Sequence, residues 1–175
     1  YSKEYMDLSL YRLSKAEQYL EDAKRTLELE MYDTSANRSY YAIFHAARAV
    51  LALDGLDFKK HSGVISNFQM RYIKTGIFDK QLSNIIKSAF SLRTESDYED
   101  FYVIAKADVE TQVKEADIFY HAISEYIHEK IKKKIEVNEN GLRKYSKKNP
   151  PKSRGKGKCN QPGTLYDETA FYIKR

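Results

Sequence analysis

The residues whose side chains are best suited to chemistry are His45 and Arg48, which stand one helical turn apart within residues 39–51. That stretch, SYYAIFHAARAVL, is apolar nearly all the way round, which is typical of a helix buried at the centre of a bundle. A buried charge must be paired or hydrogen-bonded, because its burial is otherwise very costly. His45 and Arg48 therefore either lock a polar network in the core or line a functional groove.

Metal chemistry is a weaker expectation. Four acidic residues stand close together near the middle of the chain: Glu95, Asp97, Glu99 and Asp100. Acidic residues in a loop are usually solvated or capping, and no His or Cys supports them at the spacing of metal ligands. The sequence therefore predicts no bound metal, and we expect no cofactor.

The elements that must position these residues are helices. No proline occurs before residue 150, and apolar residues recur at spacings of three and four over long segments. The spacing predicts helices over residues 3–31, 33–55, 61–76, 79–93 and 105–135, with a loop at 94–103. Asp33 or Thr34 is expected to cap the second helix, and Asp79 the fourth. Residues 1–137 thus read as an all-α domain, an up-and-down four-helix-type bundle with one additional short helix.

Residues 138–175 are expected to form a basic, largely disordered tail, because they hold few aliphatic residues and contain all three prolines. The chain has a net charge of +5. Positive charge is concentrated in the tail at Arg143, Lys144, Lys147, Lys148, Lys152, Arg154, Lys156 and Lys158. Such a segment can bind the phosphate backbone of nucleic acid, or can simply be a solvated extension.

The composition also bounds the cellular setting. No apolar run approaches the roughly 20 residues that cross a bilayer, and no signal peptide is visible. The lone cysteine, Cys159, excludes an intrachain disulfide. We therefore expect a cytoplasmic protein without a membrane partner.

Three motifs resemble a known family. Residues 36–49 (ANRSYYAIFHAARA), residues 60–63 (KHSG) with Phe68 behind them, and residues 93–98 (RTESDY) are similar to the signatures of the HEPN family of prokaryotic helical domains. The similarity covers about residues 3–135, and the motifs stand in the family's order and separation.

The resemblance implies a function as well as a fold. HEPN proteins are often homodimers encoded beside a small nucleotidyltransferase, as toxin–antitoxin or defence pairs. Many are metal-independent endoribonucleases whose site uses an Arg followed four to six residues later by a His. Other members are thought to bind nucleotides or to serve as non-catalytic partners. The resemblance therefore implies a homodimer, a nucleotidyltransferase partner and RNA as a target.

The resemblance also implies roles for individual residues. Arg93 stands at the place of the catalytic Arg, but Tyr98 stands at the place of the His. The imidazole could therefore come from His61 at the start of the third helix or from His45 of the second helix. Tyr98 or Tyr102 is a candidate for adenylylation by the nucleotidyltransferase. The groove or nucleotide-binding candidates are Tyr41, His45, Arg48 and Asp97. The alternatives are a hydrogen-bonded network with a purely structural role, and a non-catalytic module that binds a nucleotide or a partner protein.

Overall fold

The computed structural model describes the backbone of residues 2–98 and 104–148 and the side chains of residues 2–94 and 104–138. Within these ranges the chain is helical throughout its regular structure, without strands. The helices are α1 (Lys3–Glu28), α2 (Tyr32–Leu53), α3 (His61–Phe68), α4 (Lys80–Tyr98) and α5 (Lys106–Lys148). A π-helical turn over Gln69–Ile73 continues α3. The prediction of an all-α, four-helix-type bundle with one additional short helix is confirmed.

Helix α2 lies at the centre of the bundle, as its apolar sequence predicts. Its residues are buried on nearly every side, and it packs extensively against α1. Helix α1 contributes a single buried stripe, which includes Leu13, Ala16, Leu20 and Ala23. A helix that is apolar all round must be enclosed by neighbours, whereas a striped helix lies at the surface of the bundle.

Buried polar side chains connect α2 to its neighbours. The Ser9 hydroxyl of α1 donates to the Ala49 carbonyl at 2.8 Å. Gln112 of α5 is only 5% exposed, and its amide donates to the Ala36 carbonyl at 2.8 Å and to the Ser39 hydroxyl at 2.6 Å. These bonds fix the rotation of α2, because each buried donor would be left unsatisfied if the helix turned.

The connection after α2 brings α3 back across it. Gly55 has φ +75°, a left-handed conformation that glycine adopts without steric cost and that ends a helix. Farther along, Tyr72 in the π-helical turn is 1% exposed, and its hydroxyl contacts the Val50 carbonyl at 2.9 Å and Asp54 Oδ2 at 2.5 Å. These contacts hold the end of α3 against the end of α2, and so fix where His61 begins α3.

The predicted start of α2 is wrong, whereas that of α4 is confirmed. Helix α2 already begins at Tyr32, and its N-cap residue is Met31, which makes no capping side-chain bond. Asp33 and Thr34 therefore lie within the first turn. Asp79 does cap α4, because its carboxylate accepts the Gln81 N–H at 2.7 Å.

Two helices extend farther than the apolar periodicity predicts. Helix α4 continues to Tyr98, so the first residues of the predicted 94–103 loop are helical. The Thr94 hydroxyl donates to the Phe90 carbonyl at 2.8 Å, a bond compatible with helix, and no Gly or Pro interrupts the segment. Helix α5 continues to Lys148, past the predicted end at residue 135 and into the predicted tail. Its Lys and Glu residues favour helix without an apolar stripe.

Candidate functional site

The guanidinium of Arg93 lies over the rings of two adjacent tyrosines of α2. Its central carbon is 5.2 Å from the ring centre of Tyr40 and 5.6 Å from that of Tyr41. Tyr40 is fully buried, and Arg93 is partly buried. A guanidinium at this distance is attracted to the electron-rich face of the ring. The two tyrosines of α2 therefore fix the position of the Arg93 guanidinium.

Tyr40 connects Arg93 to His61. The Tyr40 hydroxyl forms a hydrogen bond with Nδ1 of His61, the first residue of α3. The imidazole of His61 also stacks on Phe44, with ring centres 4.3 Å apart and planes 13° apart. His61 is thus held by a hydrogen bond with Tyr40 and by stacking on the rings of Tyr40 and Phe44, which leaves its orientation well defined.

The chemistry of the three groups settles which of them donates. Burial raises the pKa of Tyr40 to about 12, against the opposing charge and hydrogen bond of Arg93. Tyr40 therefore keeps its proton at neutral pH. A guanidinium has donors only, so the acceptor for the Tyr40 hydroxyl is Nδ1 of His61. The neutral imidazole then carries its hydrogen on Nε2, the nitrogen that Tyr40 leaves available.

His61 is neutral at physiological pH. Burial lowers its pKa below the usual value, and the positive charges of Arg93 and then of Arg48 lower it further. The site therefore presents a permanent cation, Arg93, beside an imidazole that can donate a hydrogen bond.

A cleft opens beside Arg93. It has a volume of about 320 Å³ and is lined by Asp33, Thr34, Ala36, Asn37, Arg38, Arg93 and Ile104. Among the described residues of its lining, two guanidiniums and a carboxamide accompany one carboxylate, which gives this part of the cleft an excess of positive charge and several hydrogen-bond donors. Such a lining suits an anionic group, and the forked donors of arginine match the oxygens of a phosphate.

Arg48 lies farther along α2, where this helix meets α1. Arg48 Nη2 and Arg12 Nη2 contact the same oxygen of Asp57, at 2.8 and 2.9 Å. These contacts lower the pKa of Asp57 and keep it charged. Arg48 also lies 5.9 Å from the ring centre of Phe44, the ring on which His61 stacks. Phe44 thus separates Arg48 from His61.

His45 is held as a neutral imidazole in the same region. Its ring stacks on Tyr19 with ring centres 5.2 Å apart and planes 10° apart. Burial lowers the pKa of His45 to about 4, and the charges of Arg48, Arg12 and Lys15 add to this effect. Its Nδ1 atom is buried and has no hydrogen-bond partner among the described residues. His45 is therefore not the proton carrier of the Arg93 site.

The structure brings some of the predicted site residues together and separates others. Arg93, Tyr41 and His61 form one cluster, with the rings of Tyr41 and His61 6.5 Å apart. His45 and Arg48 lie toward α1. The remaining candidates lie outside the described side chains: Asp97, Tyr98, Tyr102, Lys144, Lys147, Lys148, Lys152, Arg154, Lys156 and Lys158.

Sequence reasoning missed three residues that matter to the geometry. Tyr40 was read as core, although its spacing of four from Phe44 places both on the face that meets His61. Arg38 lies within the same motif, residues 36–49, and lines the Arg93 cleft. Arg12 stands next to Leu13 of the buried α1 stripe, and a cation at the edge of such a stripe signals a partner on the facing helix.

Neither a membrane-spanning helix nor a clustered metal site emerges from the described part of the chain. None of its helices is long and apolar enough to cross a membrane. None of its groups of His, Cys, Asp and Glu has the three members that could hold a metal ion.

Comparisons with known proteins agree on one family. The family model described as HEPN domain matches residues 9–131. A UPF0332 protein of Thermotoga maritima is 34% identical over 119 residues, which cover 68% of this chain and 90% of the relative. The Methanocaldococcus jannaschii protein named "Putative toxin MJ0142" is 33% identical over 128 residues, which cover 73% of this chain and 85% of that protein. Another protein of that organism, "Putative toxin MJ0605", is 34% identical over 114 residues, which cover 65% and 84%.

The neutral state of His45 predicts a loss of stability in acid. The unfolded chain takes up the proton near the ordinary pKa of 6.5, whereas the folded chain takes it up only near 4. The folded state is therefore destabilised as the pH falls through this window, by up to about 3 kcal/mol at pH 4. Urea unfolding at pH 7 and pH 4 measures the effect. His45→Gln should remove this part of the loss of stability between pH 7 and pH 4. The control His121→Gln, at an exposed site, should not. Equal acid sensitivity of His45→Gln and the native chain would contradict the account.

The proximity of Arg93 to His61 predicts a coupled titration. Arg93→Gln should raise the pKa of His61, because it removes a positive charge that disfavours the imidazolium. NMR titration of the imidazole signals measures the shift. Arg71→Gln, at an exposed position of the π-helical turn, should leave the pKa of His61 unchanged. An identical His61 pKa in the native chain and in Arg93→Gln would show that the two groups are not electrostatic neighbours.

Proposed function

Because this chain belongs to the HEPN domain family, we propose that it is a metal-independent endoribonuclease of a toxin–antitoxin or defence module. The similarity to two proteins named putative toxins supports the toxin-like role. RNA as the substrate is the step beyond this similarity, and the geometry around Arg93 supports it.

The observation that carries the proposal is the link from Arg93 through Tyr40 to His61. Arg93 lines a cleft rich in donors, and Tyr40 joins it to the partly exposed imidazole of His61. The three residues come from α4, α2 and α3. Each of them places a charged or polar group within an otherwise apolar bundle. Holding such groups in fixed positions is costly for folding, and it suits a site that stabilises charge in a transition state.

The proposed reaction is cleavage by the RNA strand's own 2′-hydroxyl. The 2′-oxygen attacks the adjacent phosphorus, the new O2′–P bond forms, and the P–O5′ bond breaks to give a 2′,3′-cyclic phosphate and a free 5′-hydroxyl. Arg93 binds the non-bridging oxygens and offsets the charge that develops on them. His61 donates a hydrogen bond from Nε2 to the same phosphate. The 2′-hydroxyl proton leaves to solvent, and the 5′-oxygen takes a proton from solvent.

Tyr40 acts as a positioning residue in this scheme. Its hydroxyl occupies Nδ1 of His61 and thereby keeps the hydrogen on Nε2. The family's usual His after the Arg is replaced by Tyr98 in this chain. We propose that His61 supplies the imidazole from α3 instead.

We extend the proposal to partners on the basis of the family. The chain would act as a homodimer paired with a nucleotidyltransferase, which would adenylylate Tyr98 or Tyr102. The basic residues after 142 would contribute sequence-independent contacts to RNA.

Cleavage of single-stranded RNA in the presence of EDTA tests the proposal. The native chain should give products with 2′,3′-cyclic phosphate ends, and a substrate with 2′-deoxyribose at the cleaved position should stay intact. Arg93→Ala should lower the cleavage rate by about 100-fold or more, the usual cost of removing one transition-state donor. His61→Ala and Tyr40→Phe should also lower it.

Arg71→Ala is the matched control, since it removes an exposed arginine and should leave cleavage unchanged. A folded native chain that binds a nucleotide or a partner protein but does not cleave RNA would favour the alternative, a non-catalytic binding module. Cleavage that survives in Arg93→Ala would show that the activity belongs to another site or another protein.

A further inference from the structure

A second cleft lies between α1 and α2, on the side of α2 that carries Arg48. It has a volume of about 330 Å³, and its lining includes Arg12, Lys15, Arg48, His45, Tyr11 and Tyr19. Asp57 is the acidic partner of two of these cations, Arg12 and Arg48. Three fixed positive charges against one carboxylate leave the cleft with a net positive charge.

The described contacts of the fold do not occupy all the positively charged donors of this cleft. Arg12 is 7% exposed and is held by Asp57 and by the Arg48 carbonyl, so its role includes holding the bundle together. Arg48 Nε, in contrast, is buried and has no hydrogen-bond acceptor among the described residues. Lys15 is half-buried, and its described hydrogen bond is to the neutral amide of Gln18 at 3.3 Å. Lys15 therefore has charge to offer a ligand.

Aromatic rings form part of the same lining. Tyr11 is 61% exposed, and Lys15 lies 5.8 Å from its ring centre. An exposed ring beside a cation is the pairing that single-stranded nucleic acids use, because bases stack on the ring and the phosphate meets the charge. A site for a simple inorganic anion would need no such ring.

The second cleft meets the Arg93 cleft. Arg38 lines the Arg93 cleft, and its guanidinium lies 5.6 Å from the ring centre of Tyr19. Tyr19 lines the second cleft, where it stacks on His45, and it also stacks on Tyr41 at 5.5 Å. One extended strand can therefore pass from Arg93 over Tyr19 to Lys15.

We propose that the α1–α2 cleft is an exosite that binds a phosphate and an adjacent base of a single-stranded RNA whose scissile phosphate lies at Arg93. This inference rests on the proposed function for the identity of the ligand. The exosite holds the strand, and Arg93 with His61 acts on it.

Binding measurements test the exosite without relying on cleavage. The probe is a short fluorescent single-stranded oligonucleotide with 2′-O-methyl riboses, which cannot be cut, and the readout is fluorescence anisotropy. Lys15→Gln and Tyr11→Ala should each weaken binding by roughly tenfold. Lys15→Gln should also reduce the slope of log affinity against log salt by about 0.7, the value for one lost phosphate contact on a single strand.

The controls separate this inference from its alternatives. Lys74→Gln removes an exposed lysine at the end of the π-helical turn and should leave binding unchanged. Both Lys15 and Tyr11 are at least partly exposed, so equal urea midpoints should show that the variants fold. Unchanged affinity in Lys15→Gln and Tyr11→Ala would overturn the exosite, as would an equal loss in Lys74→Gln.

The source of the phosphate is tested by competition with adenosine monophosphate. The oligonucleotide should bind far more tightly than the mononucleotide. The exosite would be overturned in favour of a free-nucleotide site by a combination of two results. Lys15→Gln would weaken binding of the mononucleotide, and it would leave binding of the oligonucleotide unchanged. A native chain that fails to cleave ordinary RNA would contradict the proposed function only, because the binding measurement stands apart.

Discussion

The architecture of the site depends on the burial of one phenol hydroxyl, that of Tyr40. Its ring belongs to the core, yet its oxygen lies where Arg93 of α4 and His61 of α3 converge. A buried hydroxyl must be hydrogen-bonded, so the helices cannot pack without bringing these groups together. The same burial keeps the proton on Tyr40 and thereby sets the tautomer of His61. The chemistry of the site thus follows from a packing constraint on α2.

Charge is arranged consistently with this constraint. The two imidazoles near α2, His45 and His61, are both kept neutral by burial and by nearby arginines. The positive charge of both clefts therefore comes from Arg and Lys side chains, whose charge does not change near neutral pH. A surface of this kind attracts phosphate over a wide pH range while its histidines remain hydrogen-bonding groups. It fits the proposed RNA-directed role better than a role in pH sensing.

Much of the fold could be predicted from the sequence, because apolar periodicity reports directly on which helix faces are buried. The central position of α2 and the cap at Asp79 both followed from local patterns. The ends of α4 and α5 did not, because both helices continue where the apolar stripe stops and polar helix formers remain. The sequence also could not predict which partner each residue of the site contacts. Helical spacing places His45 and Arg48 near Tyr41, but only the folded structure shows that Arg48 and Arg12 of α1 share the carboxylate of Asp57.

The most direct test of a phosphate site built around Tyr40 is to observe His61 while a ligand binds. Titration of the ¹⁵N-labelled chain with a non-cleavable 2′-O-methyl oligonucleotide would report on its imidazole signals by NMR. The account predicts a saturable shift of the His61 Nε2 signal in the native chain and its loss in Arg93→Ala. Saturating oligonucleotide that leaves His61 unmoved, or the same shift in Arg93→Ala, would contradict it.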